Sequence, residues 1–277
     1  MAEIFRKGTL YLCATPIGNL EDITYRAVRC LREADRIAAE DTRRTKLLLT
    51  AYDIDTPLFS YHEHNKAEQG PVIIERVLQG EMIALVSDAG MPAICDPGND
   101  LVHLALAAVV PLPGANAGLT GLVASGMDTT AFTFAGFLPK TKKHRLPVLK
   151  KMKEYTGTLI FYEAPHRIEK VLAEMEEVFG DRTITLCREL TKKHEEYIRG
   201  TLSEVQAELA VTGVRGEFVI LVAGCEAHIE RNFGSEEYIT MVTRLMAEGI
   251  NKKDSIRIVA ECCGVPKREV YRTVLNL

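Results

Sequence analysis

The chain reads as an α/β protein of two domains followed by a small helical extension, and three observations predict this. Short strand-forming runs alternate with amphipathic helical runs through the first half, the pattern of crossover units on a parallel sheet covered on both faces. Residues 136–141 (GFLPKT) break that alternation and open a basic run, which places a domain boundary at 136/137. After Gly224 the strand-forming runs cease and three short helical runs follow.

In order, 10–14 reads as a strand, 25–34 as a helix, 36–39 as a strand, 42–49 as a helix, 58–61 as extended and 66–79 as a helix. The continuous apolar run 82–87 is a buried strand; a helical run starts at Asn99, a strand covers 109–112 and a helix 115–124. The second domain, 137–230, has strands at 158–162, 183–188, 196–199 and 218–223 and helices at 168–179 and 203–210. The short link between the second and third of those strands allows a hairpin, so this sheet is expected to be mixed. The extension, 231–277, has helices at 236–248, 253–263 and 266–275, with turns at 249–251 and at Gly264-Val265. Pro266 suits a first helical turn. The last two helices, the second carrying Lys267, Arg268 and Arg272, resemble a helix-turn-helix; a plain helical cap on the second domain is the alternative.

Length and composition agree with this division. The 277 residues, 47% hydrophobic and 26% charged, suit two globular cores. No apolar run is long enough for a membrane span, and MAEIFRKGTLYL carries no secretory hydrophobic region. Seven scattered cysteines without a CxxC pair point to a reducing cytoplasm. GxGxxG, GxxxxGK[ST] and HExxH are absent, which weighs against a dinucleotide fold, a P-loop and a zinc protease. His62 and His64 are close, yet Cys and His gather nowhere at metal spacing, so no metal is expected. The net charge of −4 conceals a basic run of Lys140, Lys142, Lys143, Arg145, Lys150, Lys151 and Lys153, with no acid among them. Such a run is either a solvated helix face or a phosphate-binding patch.

Polar and glycine-proline loops follow five strands in succession: 14–20 (ATPIGNL), 40–43 (EDTR), 62–65 (HEHN), 87–98 (SDAGMPAICDPG) and 113–117 (PGANA). Glycine admits close approach of backbone to a ligand, and proline fixes loop shape. Five such loops at one end of a parallel sheet mark a small-molecule site.

These loops carry a resemblance. ATPIGNLEDIT, AEDTRRT, SDAGMPAICDPG, PLPGANA, FAGFLP, FYEAPHR and ELTKKHEE resemble the tetrapyrrole methylase superfamily, in particular its branch that methylates the ribose 2′-hydroxyl of a cytidine in small-subunit (16S) ribosomal RNA. It runs from about Thr9 to Gly224; Met91, where the family often has threonine, and Asn116, where many members have serine, depart from it. The resemblance implies S-adenosylmethionine held in a cleft between two α/β domains, a ribosomal RNA partner and a homodimer. By position it implies cofactor contacts at Pro16, Ala89, Gly90, Met91, Ile94, Asn116, Ala117, Glu163 and Leu190.

Methyl transfer to a ribose hydroxyl needs positioning and an acceptor for the hydroxyl proton. Asp41, His62, Glu163 and Glu189 each follow a strand on the inferred binding face and are candidates, with no single base assigned. Arg43, Arg167 and Lys192 are suited to clamp phosphate, as are Lys140, Lys142, Lys143 and Arg145 of the basic run. Each has a structural alternative: Asp41 can pair with Arg43 or cap the helix at Thr42, and Glu189 can hold Lys192. A tetrapyrrole C-methyltransferase and a non-catalytic RNA-binding assembly factor remain as alternative functions.

Overall fold

The computed structural model describes residues 5–105, 108–225, 235–263 and 265–275, in two compact units, Met1–Cys225 and Glu226–Leu277. The first unit contains two five-stranded sheets. One is wholly parallel, built from β1 (Thr9–Cys13), β2 (Arg36–Ala39), β3 (Leu58–Ser60), β4 (Met82–Val86) and β5 (Val109–Leu112), in the order β3-β2-β4-β1-β5. Every residue of β1 and β4 is buried; β4 is apolar throughout, and β1 is so after its first residue, Thr9.

Strand parity divides the core of this sheet. Tyr11, Cys13, Ala84 and Val86 face α1 (Tyr25–Glu33) and α2 (Thr42–Ala51), packing on Cys30, Leu31 and Leu49. Leu10, Leu12, Ile83 and Leu85 face the other way, onto Ile73 and Val77 of α3 (Lys66–Leu78) and Leu101 of α4 (Gly98–Ala105). Side-chain caps start the helices where polar residues end the loops. Thr24 Oγ1 accepts from Ala27 N (3.0 Å) and Asp41 Oδ1 from Arg43 N (2.9 Å).

The other sheet is mixed, in the order β6-β7-β10-β8-β9. It comprises β6 (Phe132–Phe137), β7 (Thr158–Glu163), β8 (Thr183–Arg188), β9 (Glu196–Thr201) and β10 (Phe218–Val222). Only the β6–β7 pairing is parallel, and β8 and β9 form the expected hairpin. Helices α6 (Lys142–Met152), α7 (Ile168–Phe179) and α8 (Leu202–Thr212) build a core on one face around Phe161, Leu172, Leu186 and Ile220. The opposite face receives α5 (Ala117–Ser125), whose Leu122 packs with Ile160, Cys187 and Leu221.

Two expectations need correction. The boundary at 136/137 falls inside β6, which pairs with β7, so the chain has already passed to the second sheet by Phe132. Gly136 (φ +61°) marks a register shift in β6 between Phe134 and Gly136, a bulge rather than a domain break. The basic run is α6, and it does not present all its cations to solvent: Arg145 is 1% exposed.

The second unit is helical: α9 (Ser235–Ala247), α10 (Lys252–Cys263) and α11 (Lys267–Thr273) share a core of Tyr238, Val242, Ile256, Val259, Val270 and Val274. Gly264 of the expected turn and the expected boundary at 230/231 lie outside the described residues.

Candidate functional site

A cavity of about 470 Å³ opens where the carboxyl ends of the parallel strands meet loops of the second sheet. Its volume lies in the range of roughly 300–1,000 Å³ usual for small-molecule sites. The parallel sheet contributes Ile17, Glu40, Arg44, Asn116, Ala117 and the loop after β4, including Ala89, Gly90, Met91, Ile94 and Asp96. The mixed sheet contributes Phe137, Tyr162, Glu163, Leu190, Glu217 and Val219. The floor is a core cluster shared by both halves, in which Ile17 and Ala117 pack against Leu190 and Val219. A second recess of about 250 Å³, lined by Pro16, Gly18, Leu20 and Leu47 among others, shares Arg44, Ser87 and Asp88 with the first.

Local sequence shapes these walls. Thr15 and Gly90 exchange backbone hydrogen bonds (2.9 and 3.0 Å), which zips the β1 loop to the β4 loop. Gly90 has φ +80°, and a Cβ there would stand 3.2 Å from Ile17 Cγ2. Ala93 and Cys95 also have positive φ, as do Glu189 and Thr191 on the opposing loop. Four of the five non-glycine residues so strained among the described residues therefore flank Ile94 and Leu190 on the cavity wall. Asp96 Oδ1 holds the β4 loop by accepting from Ala93 N (2.9 Å) and Gly98 N (2.7 Å).

The wall is acidic. Asp88 accepts from Asp41 N (3.0 Å) and pairs with Arg44 (3.4 Å). Burial, reinforced by the negative charges of Asp88 and Asp96, pushes the Glu40 carboxyl above its ordinary pKa. Burial also raises Glu163, against the opposing pull of Arg167. Glu163 Oε1 accepts from Ala164 N (2.8 Å), and Oε2 lies 3.1 Å from an Arg167 nitrogen without hydrogen-bond alignment. Asp96 Oδ2 is buried with no hydrogen-bond partner. Tyr162 Oη accepts from Gly118 N (3.0 Å) at the start of α5, whose cap is Asn116.

Of the residues singled out from the sequence, Ala89, Gly90, Met91, Ile94, Asn116, Ala117, Glu163 and Leu190 line the main cavity, and Pro16 lines the adjoining recess. Asp41, His62 and Glu189 do not line either cavity. Asp41 caps α2 and pairs with Arg43 (3.1 Å), the structural role weighed for it. His62 follows β3, the outermost strand of its sheet, and its backbone N donates to Asn65 Oδ1 (2.7 Å). Glu189 accepts from Lys192 Nζ (2.9 Å) and Glu217 N (2.8 Å); burial opposes its ionisation, but Lys192 holds its pKa below the usual range.

The phosphate-binding expectations divide. Lys140 and Lys143 are exposed; Lys142 pairs with Glu177 (3.0 Å). Arg145 does not face solvent, because Glu174 and the carbonyls of Pro139 and Lys140 take its guanidinium inward. Arg167 is likewise turned inward, onto the Leu138 carbonyl (2.8 Å). Lys192 bridges Glu189 and Glu217. Glu40, Asp88, Arg44 and Phe137 were not singled out, although Glu40 and Asp88 stand within loops that read as polar and Arg44 follows one of them at the start of α2. Among the described residues, no group of three or more His, Cys, Asp or Glu is placed to hold a metal ion, and no helix is long and apolar enough to cross a membrane.

Comparison with known proteins gives a consistent picture. Curated relatives named Ribosomal RNA small subunit methyltransferase I include those of Halalkalibacterium halodurans and Bacillus subtilis. They are 51% and 49% identical over 271 residues, covering 96% and 95% of this chain and 94% and 93% of theirs. Among solved structures, a cobalt precorrin-4 methyltransferase superimposes with a TM-score of 0.60 at 17% identity, over 80% of this chain and 98% of its own. The uroporphyrin-III C-methyltransferase of Thermus thermophilus, complexed with S-adenyl homocysteine, gives 0.55 at 21% identity, over 77% and 96%. The family model of the tetrapyrrole (corrin/porphyrin) methylases matches residues 9–206, which takes in β1 to β9 and every wall of the cavity but the β10 side. The chain belongs to the tetrapyrrole (corrin/porphyrin) methylases.

Proposed function

We propose that the protein transfers a methyl group from S-adenosylmethionine to the ribose 2′-hydroxyl of a cytidine in small-subunit (16S) ribosomal RNA. The observation that carries this reading is the cavity between the two sheets, in a chain half identical to proteins named for small-subunit ribosomal RNA methylation. The cavity fits the cofactor chemically. Its wall is acidic, with a buried and unpartnered Asp96 Oδ2, and this suits a ligand bearing a sulfonium and an ammonium group. Apolar Ile17, Met91, Leu190 and Val219 offer surface to an adenine ring, and the strained β4 loop presents backbone groups to it.

S-adenosylmethionine, when bound, supplies an electrophilic methyl group. The chain supplies position and a proton acceptor. The recess lined by Pro16, Leu20 and Leu47 is the proposed approach for the target nucleotide, because it meets the main cavity at Arg44 and Asp88. Glu40 is the proposed acceptor of the hydroxyl proton: its raised pKa makes it a stronger base than an ordinary glutamate, and it lines the cavity beside Arg44. Arg44 is suited to anchor a phosphate of the acceptor strand. Exposed Lys140 and Lys143, close in sequence after the cavity residue Phe137, are proposed as further phosphate contacts.

The active form is proposed to be a homodimer in the cytoplasm. Leu119 and Val123 of α5 and Phe132, Phe134 and Phe137 of the edge strand β6 expose apolar surface, and Gly118 packs beside Phe134 to join the two sets. Such a patch on a sheet edge is suited to a second copy. The test of the reaction is incubation with methyl-labelled S-adenosylmethionine and small subunits from cells lacking the gene, followed by nucleoside mass analysis. Labelled 2′-O-methylcytidine is expected. Cofactor binding without labelled nucleoside would overturn the reading in favour of an assembly factor or a macrocycle acceptor.

A further inference from the structure

We infer that the basic face of α11 is a second RNA contact, gripping phosphates of the substrate outside the methyl-transfer cavity. The inference rests on the ribosomal RNA reading above and assigns a role to a part of the chain that the family model, ending at residue 206, does not cover. The corrin and porphyrin enzymes of similar fold are matched almost entirely, at 98% and 96% of their lengths, yet leave about a fifth of this chain unmatched. The relatives named for ribosomal RNA, in contrast, match 95–96% of it, so most of the helical extension is common to them.

The charge arrangement of the extension is uneven. Arg244 pairs with Glu248, and Arg257 sits between Asp254 and Glu261. Among the described residues, no ion pair reaches Lys267, Arg268 or Arg272, and all three are exposed. At about 100° per residue they span, with Tyr271, an arc of about 140° on α11. Val270 and Val274 lie outside that arc and are fully buried in the core of the unit, which fixes the orientation of the basic face. The one acid of α11, Glu269, lies off the arc and accepts a long hydrogen bond from Tyr238 Oη (3.4 Å). Tyr271 stands 52% exposed among the three cations.

Unpaired cations around an exposed aromatic ring match RNA better than an acidic protein surface. Cations neutralise phosphates at fixed spacing, and the ring offers a plane on which an unpaired base stacks. An acidic peptide would use the cations but leave the ring without a purpose.

The test uses the full chain, with Lys267→Ala/Arg268→Ala/Arg272→Ala as the main variant, Tyr271→Ala as a second and Arg257→Ala as a control whose cation is already paired. Affinity for protein-free small-subunit RNA and for assembled small subunits is measured across salt concentrations. Helicity and S-adenosylmethionine affinity are measured in parallel. The triple variant is expected to keep its helicity and cofactor affinity. Its RNA affinity should fall on the order of ten- to hundredfold at low salt, and its log–log salt slope should become shallower by about 2–3. Tyr271→Ala should weaken RNA binding without changing the slope, and Arg257→Ala should change neither. A triple variant with wild-type affinity and slope, while the wild type methylates RNA, overturns this inference alone. Weakening on assembled subunits but not on free RNA overturns it in favour of a ribosomal-protein contact. A wild type that binds no RNA overturns it together with the ribosomal RNA reading.

Discussion

Arg145→Met is expected to lower the stability of the first unit rather than simply loosen RNA attachment. The Arg145 Nε donates to Glu174 Oε2 (2.5 Å) and Nη2 to Oε1 (2.9 Å), while Nη1 donates to the carbonyls of Pro139 (2.9 Å) and Lys140 (3.1 Å). Methionine keeps the apolar stem but leaves the Glu174 carboxylate, itself 4% exposed, buried without a counter-charge. Breaking one side of such a pair costs about 3–5 kcal/mol. For a unit of this size that is a fall in Tm of about 6–20 °C, at roughly 2–4 °C per kcal/mol. Arg145→Met/Glu174→Met removes both charges and should recover most of the loss. The hydrogen bonds from Arg145 hold the Glu174 carboxyl below its ordinary pKa in spite of burial. A depressed folded-state pKa means the pair's contribution is complete above the unfolded glutamate value of about 4.3 and is lost as pH falls through the depressed value. Thermal unfolding followed by circular dichroism, from neutrality into that acid range, reads both effects. A single variant melting within about 2 °C of the wild type, with RNA affinity reduced, would refute the reasoning and return Arg145 to a phosphate-binding role.

Three further outcomes are expected. Glu40→Gln should lower kcat by about 10²–10⁴-fold with cofactor affinity retained. In the wild type, kcat should fall as pH drops through a value above the ordinary glutamate range, since Glu40 is raised; an acid limb unchanged in the variant would exclude Glu40 as the proton acceptor. Gly90→Val places a β-branched residue at φ +80° with its Cβ 3.2 Å from Ile17; strain of about 1–3 kcal/mol in the β4 loop should weaken S-adenosylmethionine binding about five- to 150-fold by calorimetry. Val123→Asp, at a position 77% exposed on α5, should yield a folded monomer by sedimentation; a dimer of undiminished affinity would move the interface elsewhere.

Much of the fold is legible because burial and sequence pattern coincide. β1 and β4 are buried throughout, and both read as strands from their short apolar stretches. β6 is legible in neither way: it is an edge strand with Phe132, Phe134 and Phe137 partly exposed, interrupted by the Gly136 bulge, so it carries no clean alternation. Arg145 was misread for a different reason. Within a run of lysines it looks solvated, and its partner Glu174 stands 29 residues away on α7, a pairing fixed by how α6 packs on α7.

The site shows where loop reading stops. A polar loop after a strand can be located from glycine, proline and aspartate, but the side chain that meets the ligand depends on single-residue parity. Glu40 and Asp41 are neighbours: Asp41 turns to cap α2, and Glu40 lines the cavity. Glu163 and Glu189 both lie at or just past a strand end, yet Glu163 remains in β7 and faces the cavity, whereas Glu189 has φ +53° and turns onto Lys192. Glycine announces a positive φ in a sequence; Ala93, Cys95, Glu189 and Thr191 do not, because their side chains favour negative φ and only the folded loop holds them otherwise. Asp96 accepting from Ala93 N holds one of the two opposing loops from within, and Lys192 bridging Glu189 to Glu217 ties the other to the residue before β10. Both loops are therefore held in their strained shapes by hydrogen bonds from the chain itself. Binding should then draw little on loop ordering, and its selectivity should follow from the fixed placement of Glu40, Asp88 and Asp96 around the cavity.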